Sequence, residues 1–181
     1  MIKKRALAYL KVNSKSIETE KMIDEVLEEV EKIARPKIII KSFDLDISDK
    51  ITIVNTNIEL TEKPYLKLLE GYSNCLLVAV TLGFEIDQKI KLYQQIDMSK
   101  AVVFDAVSSA YVEEFADNEE AKFNLETRTY RFCPGYQHTS LMLNKDIIKV
   151  LQADKKIGIS LSKDFLMTPL KSMVGIIGYK Q

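Results

Sequence analysis

This sequence has few histidine and cysteine side chains, which are the usual ligands of structural zinc sites. Its 181 residues include one histidine and two cysteines, and the cysteines stand far apart at Cys75 and Cys133 rather than in a Cys-x-x-Cys pair. Because a protein metal site usually needs several such ligands close together, we do not expect one here. Two separate cysteines also fit a reduced, cytoplasmic setting better than a disulfide framework.

The sequence also lacks a long apolar run and an excess of charge of one sign. No stretch approaches the roughly 18 apolar residues of a membrane-spanning helix. Lys11, Asn13 and Lys15 interrupt the segment where a signal peptide would have its apolar core. Lys plus Arg equals Asp plus Glu, at 26 each, so the net charge attracts neither nucleic acid nor an anionic membrane. We therefore expect neither as a partner.

The composition is that of a folded globular protein. Apolar residues make up 46% of the chain and charged residues 29%, a balance that excludes a disordered chain. The length suffices for one large domain or two small ones with a proper core. No repeat, linker or low-complexity segment divides the sequence.

Apolar residues at helical spacing predict several helices. The clearest covers residues 18–35, with Ser16 as its expected cap and Pro36 as its end. Thr61 is expected to cap a short helix that ends before Gly71. Further predicted helices cover 84–95, 99–117 and 139–152, and residues 5–12 can form a helical turn. In the helix over 84–95, the expected packed face is Phe84, Ile86, Ile90 and Tyr93.

Other segments have the patterns of strands. Residues 37–46, 51–54 and 56–60 suggest an antiparallel meander. The continuous apolar run over 75–82 predicts a central strand that is covered on both faces. Further strands are expected over 157–162 and 171–179, a loop over 117–126 and a turn over 165–169. Because helices and strands do not alternate regularly, the predicted class is α+β.

The segment over residues 129–138 combines a cation, a turn and aromatic rings. Arg131 offers a planar fork of donors that suits a carboxylate or phosphate. Pro134 and Gly135 predict a turn that a ligand can approach closely. Ring faces are offered by Tyr130, Phe132 and Tyr136. The same residues are also typical of an ordinary turn between a strand and a helix, so chemistry alone leaves both interpretations open.

A second, weaker pattern lies where the central strand leads into the next helix. Thr81, Leu82 and Gly83 come directly before that helix. Such a strand–turn–helix can present backbone N–H groups to an anion. However, a single glycine is weak support, and the full phosphate-loop fingerprint is absent.

The run Arg131-Phe-Cys-Pro-Gly135-Tyr136 resembles the Arg-x-x-x-Gly-Tyr signature of the activation domain of cobalamin-dependent methionine synthase. Residues 156–169 and 172–178 are similar to the closing segment of that domain. Residues 79–83 and 104–114 resemble its short, stand-alone homologues. The resemblance covers most of the chain and is most specific in the C-terminal half.

The resemblance implies a single activation-like domain over residues 1–181, with a helix and strand portion over 1–70 and a portion over 71–181 that carries the ligand motif. The implied fold is C-shaped α+β, with a mixed, largely antiparallel sheet and flanking helices. In the family, this domain binds S-adenosylmethionine in a shallow groove. It presents that ligand to an inactive, oxidised cobalamin, and an electron from flavodoxin or a similar donor completes a reductive methylation.

The family's ligand contacts carry over to this sequence residue by residue. Arg131 is expected to pair with the ligand carboxylate, and the backbone around Phe132 and Gly135 to approach the adenine edge. Tyr136 is expected to contact the ligand through its ring or hydroxyl. Glu113 is the candidate for the ammonium or a ribose hydroxyl. No catalytic residue is implied, because the difficult chemistry belongs to the corrinoid.

Three departures from the family pattern affect the expected site. Cys133 stands where the family often has a small residue; it is expected to be either a buried small residue or a redox-sensitive thiol. Ile176 and Ile177 stand where the full-length enzymes have an aromatic ligand contact, so one contact is expected to be missing. His138 is expected at the surface and not as a cobalt ligand.

The chain shows no cobalamin-binding, homocysteine or folate domain, so it is expected to act in trans on a separate methionine synthase or another corrinoid protein. Two alternatives stay open. One is a free-standing methyltransferase that acts on a small molecule, and the other is a binding or structural module that has lost the ligand.

Overall fold

A computed structural model describes residues 1–11 and 17–180. The expected helix cap at Ser16 lies outside these residues. Helices and an antiparallel sheet make up the fold, as the α+β prediction requires. Among the described residues, no helix combines the length and apolar character needed to cross a membrane.

Within the described part of the chain, six strands form the main sheet, in the order β3-β2-β1-β4-β8-β5, and each neighbouring pair is antiparallel. A separate hairpin is formed by two further strands, β6 and β7. The strands are β1 (Lys37–Ile47), β2 (Ile51–Ile53), β3 (Glu59–Leu60), β4 (Asn74–Thr81), β5 (Thr127–Arg128), β6 (Ser160–Leu161), β7 (Met167–Thr168) and β8 (Ser172–Lys180). The predicted meander is thus confirmed as β1, β2 and β3.

Strand β4 lies at the centre of the sheet, as its continuous apolar run predicted. All 8 of its residues are buried, and it pairs with β1 on one side and β8 on the other. Because alternate residues of a strand point to opposite faces, Cys75 and Leu77 enter one core cluster, whereas Leu76 and Val78 enter another. Both faces of this strand are therefore covered.

Seven α-helices pack around the described sheet. They are α1 (Ile2–Leu10), α2 (Ile17–Ile33), α3 (Lys63–Leu69), α4 (Phe84–Ile96), α5 (Met98–Ala121), α6 (Leu143–Leu151) and α7 (Ala153–Lys156). Residues of α3, α6 and α7 share the core cluster of Cys75 and Leu77. Residues of α1, α2, α4 and α5 form a second cluster with Val80 and Leu82. The sheet thus lies between two groups of helices.

Two predictions about helix α5 and its surroundings are wrong. The helix does not end at Asp117 but continues to Ala121, so the expected loop over 117–126 begins later. The extra turn is polar in sequence, yet Glu120 is 3% exposed and pairs with Arg131. This tertiary contact favours the helix where local polarity predicted a loop.

Three smaller expectations also differ. Phe84 is 50% exposed and not part of the packed face, because it is the first residue of α4. The cap position of α3 is Glu62 rather than Thr61. Part of the expected turn over 165–169 is strand β7, which pairs with β6.

Candidate functional site

The six residues from Arg131 to Tyr136 are called the motif from here on. The segment that carries the motif runs antiparallel to β8. Phe132 and Ile176 exchange two backbone hydrogen bonds of 2.9 Å, and the N–H of Thr129 donates to the carbonyl of Gly178 at 2.8 Å. Phe132 points into the core and is 2% exposed. Since neighbouring residues of an extended chain alternate in direction, Arg131 and Cys133 point to the other side, toward α5.

A tight turn follows directly. The N–H of Tyr136 donates to the carbonyl of Cys133 at 3.3 Å, and Gly135 has φ 90° and ψ −17°. These angles are those of the third residue of a type II turn, a position that favours glycine. The N–H of Gly135 also donates to Oγ1 of Thr139 at 3.1 Å. The turn predicted from Pro134 and Gly135 is confirmed.

The motif and helix α5 enclose a pocket of about 310 Å³. Its lining residues are Glu113, Asp117, Tyr130, Arg131, Phe132, Cys133, Tyr136, Gln137 and Met173. Five of the six candidate site residues therefore meet in one place, although Glu113 is far from the others in sequence. The sixth, Gly135, forms the turn beside the pocket. Their role in ligand binding stays a prediction.

Three aromatic rings give the pocket an apolar surface. The buried Phe132 ring packs edge-on against Tyr65, with 5.0 Å between ring centroids. Tyr130 and Tyr136 are 62% and 61% exposed, and their centroids lie 6.2 and 6.5 Å from that of Phe132. Exposed aromatic rings beside a concave, apolar surface can accept a flat heterocycle or a cation.

Arg131 is held by two carboxylates of α5. Its side chain is 9% exposed; one guanidinium nitrogen donates to Glu120, and another donates to Asp117 at 3.1 Å. Burial on its own lowers the pKa of Arg131, but the two carboxylates outweigh it and the net pKa is raised. Burial also raises the pKa of Glu120, and Arg131 offsets this only in part.

These ion pairs do not use all the donors of Arg131. A guanidinium has five N–H donors, and the two hydrogen bonds to Glu120 and Asp117 use two of them. Arg131 also lines the pocket, so it can donate to a ligand carboxylate while the α5 carboxylates fix its orientation. Asp117, whose side chain is 33% exposed, brings negative charge to the α5 wall of the pocket, next to Arg131.

Side chains of helix α1 hold the carboxylates of α5 beside the pocket. The sequence did not predict this arrangement. The hydroxyl of Tyr9 donates to Glu113. The guanidinium of Arg5 lies 2.5 Å from Asp117, 3.5 Å from Glu114 and 3.9 Å from Glu113. The carboxylate of Glu113 is thus positioned by two side chains that are more than a hundred residues away along the chain.

Asp117 and Glu120 are the most important residues that the sequence interpretation missed. With Glu113 they form an i, i+4, i+7 series on one face of α5. That spacing was visible in the sequence, but the predicted loop over 117–126 hid it. Once the helix extends to Ala121, all three carboxylates face the motif.

A glycine on β8 makes room for Arg131. A Cβ at Gly175 would lie 2.6 Å from Cγ of Arg131 and 3.1 Å from the carbonyl oxygen of Phe132.

Ile176 and Ile177 are both fully buried and do not line the pocket, and β8 instead contributes Met173. The described site therefore has no aromatic residue from β8.

Cys133 is a protonated thiol at the pocket wall. Burial raises its pKa to about 11, although the neighbouring Arg131 acts in the opposite direction. Because the thiolate is the reactive form, this cysteine is less reactive than an ordinary one. Of the two interpretations of Cys133, the geometry favours the small, partly buried residue.

Comparison with solved structures shows a likeness in fold. No family model matches the chain, and no curated protein matches it. Among solved structures, the fold is similar to the MetH reactivation domain bound to AdoHcy, with a TM-score of 0.72 and 17% sequence identity. The likeness covers 94% of this chain and 68% of that one. At this identity it establishes the fold, and it confirms the fold that the sequence resemblance implied.

Proposed function

We propose that this protein binds S-adenosylmethionine in the pocket between the motif and α5, and presents it to the corrinoid of a separate protein for reductive methylation. The observation that supports this most is the meeting of five candidate residues at one pocket, within a fold similar to a domain solved with AdoHcy bound.

The chemistry of the pocket matches the parts of this ligand. Its volume of about 310 Å³ lies at the lower end of the usual range for small-molecule sites. The rings of Tyr130 and Tyr136 offer faces for the adenine. Arg131 offers donors for the carboxylate, and Glu113 and Asp117 offer negative charge for the ammonium and the sulfonium.

In this proposal the chain binds and orients the ligand, and the partner's corrinoid accepts the methyl group. S-adenosylmethionine gives up its methyl group and leaves as S-adenosylhomocysteine, and one electron from a flavodoxin-like donor completes the change from cob(II)alamin to methylcobalamin. The pocket carboxylates are engaged by Tyr9, Arg5 and Arg131, which suits positioning rather than proton transfer. We place the protein in the cytoplasm, where Cys75 and Cys133, both free thiols, stay reduced.

One observation favours a second candidate, a module that keeps the fold and has lost the ligand. Arg131 already has two carboxylate partners, so the presence of an arginine at this position can be explained by stability alone. The two candidates differ in whether S-adenosylmethionine binds at all.

Calorimetric titration of S-adenosylmethionine into the wild-type protein and the Tyr136→Ala variant tests the proposal. Tyr136 is suitable because it lines the pocket and is 61% exposed, so its removal leaves the core intact. Loss of an aromatic contact worth about 1 kcal/mol weakens binding about fivefold. Phe84→Ala is the matched control, since this ring is 50% exposed and does not line the pocket.

Two results would contradict the proposal. Absence of binding at about 1 mM ligand would favour the module that has lost its ligand. Equal weakening in Tyr136→Ala and Phe84→Ala would show that the effect does not come from the pocket at the motif.

A further inference from the structure

We propose that the protein has a second ligand site, which binds a small anion carrying a phosphate or diphosphate group. The site is a cavity of about 540 Å³ between the start of α4 and the end of α7. It shares no lining residue with the pocket at the motif. Its lining residues are Arg35, Lys37, Thr81, Gly83, Phe84, Glu85, Lys155, Lys156, Ile157, Gly158 and Pro169.

Positive charge is concentrated at this cavity. Four cationic side chains line it, from two distant parts of the chain: Arg35 and Lys37 near the start of β1, and Lys155 and Lys156 on α7. Glu85 is the one carboxylate among the lining residues. The whole chain has 26 basic and 26 acidic residues, so this local excess is a feature of the fold and not of the composition.

The lysines of the cavity are not neutralised by the protein. Across residues 1–11 and 17–180, no ion pair involves Lys37, Lys155 or Lys156. In contrast, Lys171 lies 2.8 Å from Asp105, and Lys89 lies 2.6 Å from Glu29. Like charges brought together without a counter-charge repel each other, and a multivalent anion in the cavity would relieve that repulsion.

Arg35 is held in place at the cavity. Its backbone N–H donates to the carbonyl of Leu82 at 2.8 Å. One guanidinium nitrogen donates to the carbonyls of Lys32 and Ala34 at 3.1 and 2.9 Å. The other guanidinium nitrogens are available to a ligand, and a planar fork of N–H donors matches phosphate oxygens.

Backbone N–H groups at the cavity can bind an anion together with these cations. Gly83 has φ 89° and caps α4 without a side-chain hydrogen bond at the cap, so no capping side chain covers the first-turn N–H groups. A Cβ at Gly83 would lie 2.9 Å from Glu85 and 3.3 Å from Arg35, which shows how closely these two side chains approach the turn. The weak anion pattern at Thr81–Gly83 in the sequence thus lies beside four cations.

A phosphate-bearing anion is the ligand class that this set of groups fits best. Lysines act as point charges toward phosphate, and arginine adds directional donors. The concave shape and the volume of about 540 Å³ suit a small molecule. An excess of three positive charges, from four cations and one carboxylate, matches a diphosphate better than a monoanion.

Titration with inorganic pyrophosphate at low ionic strength, followed by amide NMR, tests this site. The chain has 6 glycines, and the signals of Gly83 and Gly158 report on the cavity while that of Gly135 reports on the motif. We expect saturable shifts at Gly83 and Gly158, with Gly135 unchanged. Lys155→Gln combined with Lys156→Gln should weaken binding by about tenfold, since it removes two of the four cations that line the cavity.

The matched control is Lys145→Gln combined with Lys149→Gln, which removes the same charge from exposed positions on α6 outside the cavity. It should change binding less than about twofold. Glu85→Gln removes the opposing carboxylate and should tighten binding. Equal weakening by the two double variants, or no saturable shift up to about 10 mM pyrophosphate, would overturn the proposal. Neither result depends on whether S-adenosylmethionine binds at the motif.

Discussion

Arg131 contributes to stability as well as to the pocket, because it neutralises Glu120 in a buried position. The two side chains are 9% and 3% exposed. Removing one partner of such a pair leaves an uncompensated charge, which typically costs about 3–5 kcal/mol. We therefore expect Arg131→Ala to lower the free energy of unfolding by about that amount, as measured by urea denaturation.

The partner variant provides the control for this effect. If the cost comes from the unpaired carboxylate, Glu120→Gln should recover part of the stability that Arg131→Ala loses, because it removes the buried charge. Additive losses in the double variant would show that the two side chains are not coupled. This coupling is also why Tyr136, and not Arg131, is the better residue for a binding test.

Cys133 provides a chemical probe of the pocket. Its pKa is raised from 9.0 to about 11, so at neutral pH it has about a hundredfold less thiolate than an ordinary cysteine. Alkylation by iodoacetamide at pH 7.5 should be correspondingly slow and should accelerate as the pH rises toward 11. Mass spectrometry of the labelled peptide measures the rate.

The second cysteine serves as an internal control. Cys75 is fully buried, and burial raises its pKa to about 12, so it should react more slowly than Cys133. S-adenosylmethionine should slow the labelling of Cys133 further by covering the pocket wall. Labelling at the rate of a free cysteine would contradict the buried position of the thiol.

At the level of secondary structure, Gly175 of strand β8 leaves the space that the Arg131 side chain occupies. A methyl group there would lie 2.6 Å from Cγ of Arg131 and 3.1 Å from the carbonyl oxygen of Phe132. Gly175→Ala should therefore overpack the strand and cost about 1–3 kcal/mol. Urea denaturation of the single variant measures this cost.

A double variant separates the clash from other effects of the substitution. In the Arg131→Ala background, Gly175→Ala should cost less, because Cγ and Cδ of Arg131 are gone. Some cost should persist from the carbonyl oxygen of Phe132. An unchanged cost in that background would show that Arg131 does not limit the space at Gly175.

The sequence predicted those elements whose stability is visible in a local pattern. Strand β4 is buried along its whole length and reads as a continuous apolar run, and α2 has a clear amphipathic period and a proline after its end. The last turn of α5 was missed because it is polar. Arg131, from a separate segment of the chain, pairs with Asp117 and Glu120 there, and these contacts favour the helix.

In the candidate site, too, local patterns predicted some residues, and those that depend on distant segments were missed. The motif residues are neighbours in sequence, and Glu113 was added through the family resemblance, so five of the six candidates meet at the pocket. Arg5 and Tyr9 could not be found in this way, since their partners on α5 are more than a hundred residues away. Ion pairs between distant segments depend on the packing of α1, which no local pattern encodes.

For the whole molecule, a neutral net charge conceals two local excesses. Glu113, Asp117 and Glu120 place negative charge on the α5 wall near the motif, whereas Lys155 and Lys156 contribute to the cationic cavity. Composition alone, with 26 residues of each sign, indicated no attraction to nucleic acid or an anionic membrane. The fold sorts these charges, so the pocket at the motif suits the cationic end of its proposed ligand and the cavity suits an anion.

The proposed role also makes a prediction about dependence on a corrinoid. With S-adenosylmethionine alone, the protein should release no S-adenosylhomocysteine, because the pocket carboxylates are engaged by Arg5, Tyr9 and Arg131 and none is left as a general base. With a cob(II)alamin-loaded methionine synthase and a one-electron reductant, methylcobalamin should form together with S-adenosylhomocysteine. The visible absorbance of the corrinoid and chromatography of the nucleoside follow the two products.

The Tyr136→Ala variant tests whether the corrinoid reaction uses S-adenosylmethionine that is bound in the pocket. Because it weakens the binding of S-adenosylmethionine and removes no hydrogen bond of the buried ion pairs, it should slow the corrinoid reaction at low ligand concentration and recover at high concentration. Release of S-adenosylhomocysteine without a corrinoid would instead favour a free-standing methyltransferase. In that case a small-molecule acceptor, and not a protein partner, would have to reach the pocket that Tyr130 and Tyr136 line.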